Sequence, residues 1–218
     1  MSAPENRVDL FRATQKGCVL LADTSREFLE AERSKILGRL VIALTFQALM
    51  QRATMPRDAR RPTLLVIDEA WEVIDPLLEE FIVLVRKMRG GVIFAHQDLD
   101  QIATSTRKRI LGNCGIKLIG GVSDHDAREL AGVLRTSPGF ILGRGSDGRS
   151  ADFALHVRGR SAALPARLPF FTLENRPHMS KAEWRQVCEA NRQRYGAPWQ
   201  APPASTVAAP ADDDDWRS

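Results

Sequence analysis

The stretch Thr63 to Trp71, TLLVIDEAW, runs from an unbroken apolar segment straight into two adjacent carboxylates. A short apolar run without polar alternation predicts a strand covered on both faces, the pattern of a parallel sheet. Asp68 and Glu69 follow it directly, and neither acid is buried cheaply. They therefore belong at the strand's carboxyl end, where open α/β sheets bind their ligands.

The flanking sequence predicts helices alternating with further strands. GCVLLA, residues 17–22, reads as a buried strand, and Thr24 with Glu27 has the spacing of a capping box. The helix that follows, to about Arg52, is expected to bury Phe28, Ile36, Leu40, Leu44 and Ala48 along one face. Asp75 and Pro76 open a second helix that runs to about Arg89 and stops at Gly90 and Gly91. Val92 to Ala95 and Ile116 to Ile119 read as two more buried strands, with a helix from about Leu99 to Leu111 between them. Ser123 or Asp124 caps another helix ending near Leu134. Such alternation implies right-handed crossovers and a parallel α/β sheet.

The carboxyl-terminal third reads differently. Phe140 to Leu142 and Phe153 to Val157 flank GRGSDGRS, a Gly- and Asp-rich turn, which predicts a hairpin. Pro165 and Pro169 mark an irregular connector, Ser180 and Glu183 form a second capping box, and a short helix ends near Gly196. Residues 197–218 are Pro- and Ala-rich and finish ADDDDWRS, the composition of a disordered acidic tail.

Candidate functional residues cluster around the first carboxylates. An apolar strand ending in Asp-Glu has the Walker B arrangement, in which the Asp holds Mg²⁺ through water and the Glu polarises an attacking water. Two solvated acids at a strand-to-helix turn are the plainer reading. Gln97 ends the next strand in FAHQ, where a neutral amide is placed to sense a terminal phosphate; His96 beside it reads as packing. Arg86, Lys87 and Arg89 fall on the last turn of a helix, where the dipole favours cations. The sharper reading of Arg86 is an arginine finger toward a neighbouring subunit. Arg107, Lys108 and Arg109 form a basic run, either a solvated face or a contact for nucleic-acid phosphates. GRGSDGRS is not G-x-x-x-x-G-K-[ST], and the chain contains no such phosphate-binding loop.

Composition limits the alternatives. Lys and Arg number 31 against 27 Asp and Glu, and a formal charge of +4 is too small to argue for nucleic-acid binding alone. Cys18, Cys114 and Cys188 are odd in number and widely spaced, which fits reduced thiols packed as small apolar groups rather than a disulfide framework. No signal peptide or apolar run of about 18 residues is present, so a cytoplasmic chain is expected, peripheral to an inner membrane only through partners.

Taken together, RRPTLLVIDEAWEVID, RKMRGGVIFAHQDLDQI and ILGNCGIKLIGGVSDHDARELAGVL resemble the carboxyl-terminal half of the motor domain of type IV secretion coupling proteins. These are the TraD/TraG group of the FtsK–HerA class of P-loop ATPases; the last block is similar to their TraM-recognition region, and DEAW is similar to the sister secretion ATPases. The resemblance covers roughly residues 15–160. It implies a partial RecA-like parallel sheet over residues 1–160, carrying Walker B and sensor elements without Walker A. A connector and helix over 161–196 and the tail over 197–218 follow.

By position it implies Asp68 as the Mg²⁺-associated carboxylate, Glu69 as the water-activating residue, Gln97 as the sensor and Arg86 as the motor's arginine, with ATP and Mg²⁺ as cofactors. It further implies a hexameric ring of motor subunits, single-stranded DNA, an accessory or relaxosome protein of the TraM kind, and a type IV secretion channel as partners. Lacking the P-loop strand, the chain reads as a half-motor from a truncated or split gene or a remnant, inactive alone. A non-enzymatic module docking accessory proteins is the alternative.

Overall fold

The computed structural model describes residues 7–25, 29–172 and 174–196. The described residues fall into two units, one of residues 9–177 and the other of residues 7–8 and 178–196. The class is mixed α/β. In the larger unit the order is α1 (Leu10–Lys16), α2 (Ala31–Met50), β1 (Thr63–Ile67), α3 (Pro76–Leu84), β2 (Gly90–Phe94), α4 (Thr104–Asn113), β3 (Ile116–Ile119), α5 (Asp124–Leu134), α6 (Pro138–Leu142), β4 (Ser150–Val157) and β5 (Leu164–Pro169). In the smaller unit α7 (Lys181–Tyr195) begins at the expected capping box, with the Ser180 side chain and the Glu183 side chain each accepting from the other's backbone.

β1 and β2 pair in parallel with Thr63 opposite Gly90 and Ile67 opposite Phe94. The α3 crossover starts where its sequence requires: Asp75 accepts from the Leu78 N–H at 2.8 Å, and Pro76 fills the first helical position. α2 and α3 cover one face of this ribbon, and Ile42, Leu49, Ile67, Leu78, Phe81 and Val85 form its core. A second core gathers Leu99, Leu130, Leu134, Ile141 and Ala154 where α5 and α6 pack on β4.

Several expectations are corrected. Residues 17–22 form no strand, and Val19 is 87% exposed; an apolar run becomes a strand only where another strand's edge takes up its hydrogen bonds. The helix expected from Thr24 begins at Ala31, and Glu27 and Phe28 lie outside the described residues. Its inward face is also different. Ile36, Leu40 and Leu44 are exposed, while Ser34, Gly38, Ile42, Thr45 and Leu49 are buried with Ala48. Close approach decides this: a Cβ on Gly38 would lie 2.6 Å from Val73 Cγ1, and Thr45 satisfies its own hydroxyl on the Val41 carbonyl at 2.7 Å.

β1 is covered on one face only. Leu64 and Val66 point outward, as does Ile93 of β2. β3 does not continue the parallel sheet but pairs antiparallel with β4, which pairs antiparallel with β5. Residues 140–142 are helical, because Ser137 caps Phe140 and Pro138 sits at the first helical position. The hairpin is therefore β4–β5, and residues 164–169, expected as an irregular connector, are an edge strand, the place where a sheet tolerates Pro165 and Pro169. Cys18 and Cys188 are exposed rather than packed, and Cys114 is half-buried; all three are free. Among the described residues no helix is long and apolar enough to cross a membrane. The expected acidic tail, 197–218, lies outside the described residues.

The start of the ribbon is tied down by Arg52, which is fully buried. Its guanidinium donates to the carbonyls of Arg61 (2.7 Å), Met88 (3.1 Å) and Thr14 (3.2 Å) and to Thr63 Oγ1 (2.7 Å). Burial pulls its pKa down, and Arg60 nearby adds to the effect, yet an arginine stays charged in proteins. Every partner is neutral, so the ion's desolvation is offset by hydrogen bonds alone. Replacing Arg52 with Met strands these acceptors, and urea denaturation is expected to show a loss of roughly 3 kcal/mol. A loss under about 1 kcal/mol would show that the guanidinium is dispensable to the ribbon.

Candidate functional site

At the carboxyl end of the ribbon the ladder continues past both strands. Ala95 N–H donates to the Ile67 carbonyl at 2.9 Å, and Ala70 N–H donates back to the Ala95 carbonyl at 3.0 Å. This clamp holds residues 68–70 beside 95–97. Between its two bonds the chain turns sharply, and Glu69 adopts a left-handed conformation (φ 46°, ψ 48°). A non-glycine residue held there stores about 1 kcal/mol or more of strain, a cost that the surrounding bonds must sustain.

The turn aims Glu69 at Gln97. Gln97 Nε2 donates to Glu69 Oε1 at 2.6 Å, and Trp71 Nε1 donates to Glu69 Oε2 at 3.0 Å. Each carboxylate oxygen thus holds one donor and keeps lone-pair capacity for another. Asp68 stays exposed, with Oδ1 accepting from the Glu69 N–H at 3.0 Å. Trp71 is the participant that sequence reasoning missed; an indole two residues beyond the acid was its only visible signal.

The other candidates lie elsewhere. His96 is half-buried, and its Nδ1 finds no hydrogen-bond partner among the described residues. Arg86 is exposed just before β2 begins, so the length of a five-residue strand, roughly 15 Å, separates it from Glu69. Within one chain the two do not meet. Arg107 is buried rather than offered to a phosphate: it donates to Glu129 at 2.6 Å and to the Ile102 carbonyl at 3.2 Å, and Asp100 lies 3.5 Å away. Helix α4 turns it inward, where Glu129 and Asp100 offset the cost of burying its charge. Arg109 pairs with Glu79 at 3.1 Å, and Lys108 alone of that run is exposed without an ion pair among the described residues. Lys117 bends back onto the Cys114 carbonyl at 2.7 Å; burial pulls its pKa down and pushes that of the Cys114 thiol up.

The donor set fits one end of a magnesium triphosphate and not the other. Asp68 is an open carboxylate at the mouth of the sheet, and Mg²⁺ needs only one or two of these beside water and phosphate oxygens. No group of three or more His, Cys, Asp or Glu able to enclose a metal occurs among the described residues. No loop of the phosphate-cradling kind is present in the sequence.

Comparison with known proteins adds one family match. Residues 62–134 match the family described as the TraM recognition site of TraD and TraG, about a third of the chain. The relationship to TraD and TraG expected from the order of the sequence blocks is thus found on the segment from β1 to the end of α5. No curated protein matches. Among solved structures, VirB4 of Thermoanaerobacter pseudethanolicus is similar over 73% of this chain and 41% of its own length, at 18% identity and a TM-score of 0.44. The chain therefore spans about two-fifths of that protein.

If Glu69 is the common acceptor, Glu69→Ala frees both donors. The Trp71 indole N–H and the Gln97 side-chain amide resonances are expected to shift together in ¹H–¹⁵N spectra, while Asp68→Ala leaves both in place. Unmoved resonances in the Glu69 variant would show that the two contacts do not persist in solution.

Proposed function

From the match of residues 62–134 to the TraM recognition site of TraD and TraG, we propose that this chain is the carboxyl-terminal motor half of a type IV secretion coupling ATPase. The observation that carries this reading is the 2.6 Å hydrogen bond from Gln97 to Glu69 at the ends of adjacent parallel strands. In that reading Glu69 is the base that takes a proton from water, and a fixed carboxylate does this only if it is oriented before the reaction begins. Trp71 and Gln97 supply the orientation. The Gln97 amide has two N–H donors, so it is able to hold Glu69 with one and meet a terminal phosphate oxygen with the other. Asp68 would hold Mg²⁺ through water. Magnesium-bound ATP supplies the phosphoanhydride whose cleavage drives movement.

Arg86, at the opposite end of the ribbon, would serve a neighbouring subunit's nucleotide in a ring of six. Single-stranded DNA is the cargo of that reading, and a secretion channel at the inner membrane is its destination. The missing phosphate loop and the bare face formed by Leu64, Val66 and Ile93 both support a site that is completed by further strands. The family match equally supports docking of an accessory protein of the TraM kind by this chain.

The purified chain is expected to hydrolyse no ATP above background. Supplied with a polypeptide carrying G-x-x-x-x-G-K-[ST], it should turn over, and Glu69→Gln should then lower kcat by about 10²-fold or more. Turnover by the chain alone would overturn its dependence on a supplied loop. Reconstituted turnover indifferent to Glu69 would remove the catalytic role and leave accessory-protein docking as the function.

A further inference from the structure

Gln97 stands at the end of the ribbon, yet the chain just beyond it belongs to the other core. Asp98 accepts from the Asp100 N–H at 2.9 Å and turns the backbone. Leu99, two residues past Gln97, is buried with Leu130 and Leu134 of α5. Ile102 is buried as well, and its N–H closes the turn on the Leu99 carbonyl at 3.0 Å. A single exposed residue, Asp98, thus separates the side chain that meets Glu69 from one fixed against α5.

Arg107 ties the same segment to α5 a second time. From the first turn of α4 its guanidinium bridges the Ile102 carbonyl and Glu129 of α5, with Asp100 on its rim. Arg107 is only 7% exposed, and its Nε–H has no partner among the described residues. A buried ion pair stabilises a fold little more than apolar side chains of similar volume do, and an unmet donor lowers its contribution further. Packing alone therefore gives no reason for a charge here. What the guanidinium does supply is geometry: a planar fork that grips a carbonyl and a carboxylate fixes their separation. Its neighbour Thr106 faces another way and donates to Glu79 of α3, which also pairs with Arg109. Helix α4 is thus fastened to α3 by one set of bonds and to α5 by a separate one.

We propose that Arg107 is a positioning residue for Gln97, and that α5 acts on Gln97 through the Glu129–Arg107 pair. The role rests on Glu69 and Gln97 belonging to the ATP-hydrolysing site proposed above. With Glu129 in place, the guanidinium holds residues 100–102 and, through the turn at Asp98, the approach of Gln97 to Glu69. The Glu129 side chain is 34% exposed, so a cation on a protein docked against α5 is able to compete for it. Arg107 then loses its closest charged partner, and residues 100–102 lose their fixed distance from α5. Docking at α5 and the setting of Gln97 are linked by that one ion pair.

The Gln97 side-chain amide in ¹H–¹⁵N spectra reads this link without any nucleotide. Glu129→Gln keeps the size of the side chain and removes its charge; the Gln97 resonances are expected to move towards their positions in Glu69→Ala. Arg107→Lys, which keeps the charge and loses the fork, should move them the same way. Glu79→Gln, which loosens α4 from α3, should leave them in place. In the chain completed with a phosphate-loop polypeptide, Glu129→Gln should lower kcat about tenfold with KM for ATP unchanged. Unmoved Gln97 resonances in Glu129→Gln would overturn the proposal. Equal movement in Glu79→Gln would overturn it too, because general loosening of α4 would then be the cause. Movement of Gln97 with kcat unchanged would support the link to α5 and count instead against the catalytic role of the Glu69–Gln97 pair.

Discussion

A buried arginine with no acid beside it organises the first half of the chain. Arg52 draws the backbone of α1's end, of the segment entering β1 and of the turn entering β2 onto one guanidinium. Because the bonds converge on residues 61, 63 and 88, they fix where β1 and β2 begin, and parallel pairing transmits that register five residues along. At the far end the register decides which side chains meet, and Glu69 comes to face Gln97. At the near end it leaves Arg86 and Arg89 on the outer side of a turn whose inner side is already used. The acid–amide pair and the exposed Arg86 thus mark two ends of one ribbon.

The parts legible in the sequence were those set by local chemistry. Asp75 with Pro76, Ser123, and Ser180 with Glu183 all begin helices, because a cap is satisfied within four residues of itself. β1 and its terminal acids were legible for a similar reason, since an apolar run followed by carboxylates leaves the end of a strand as the acids' affordable position. What failed was pairing and facing. Residues 17–22 and 116–119 have strand composition alike, yet only the latter have a partner, β4, and that partner is antiparallel. Ile36, Leu40 and Leu44 form the more apolar stripe of α2, but Gly38, Ser34 and Thr45 lie inward because small side chains let the helix approach Val73 and the rest of the core. The candidate site was legible in part: the pair Glu69 and Gln97 meets, Trp71 was unseen, and Arg107 turned out to be a structural ion bonded to Glu129.

The ribbon also shows why Glu69 and Gln97 are worth more together than as neighbours in space. Glu69 sits in a strained left-handed turn, and two backbone hydrogen bonds across to residue 95 hold it there. Strain of this kind persists only where surrounding structure determines it, and its product here is a carboxylate with both oxygens oriented. A solvated acid at an ordinary turn would need neither the strain nor the indole.

The most direct measurement is a double-mutant cycle on ATP turnover of the chain completed with a phosphate-loop polypeptide, using Glu69→Gln and Gln97→Ala. If the pair acts as one device, each single change lowers kcat steeply and the double change costs little more than the larger of the two. Losses that simply multiply would mean that the hydrogen bond seen between them has no part in the chemistry.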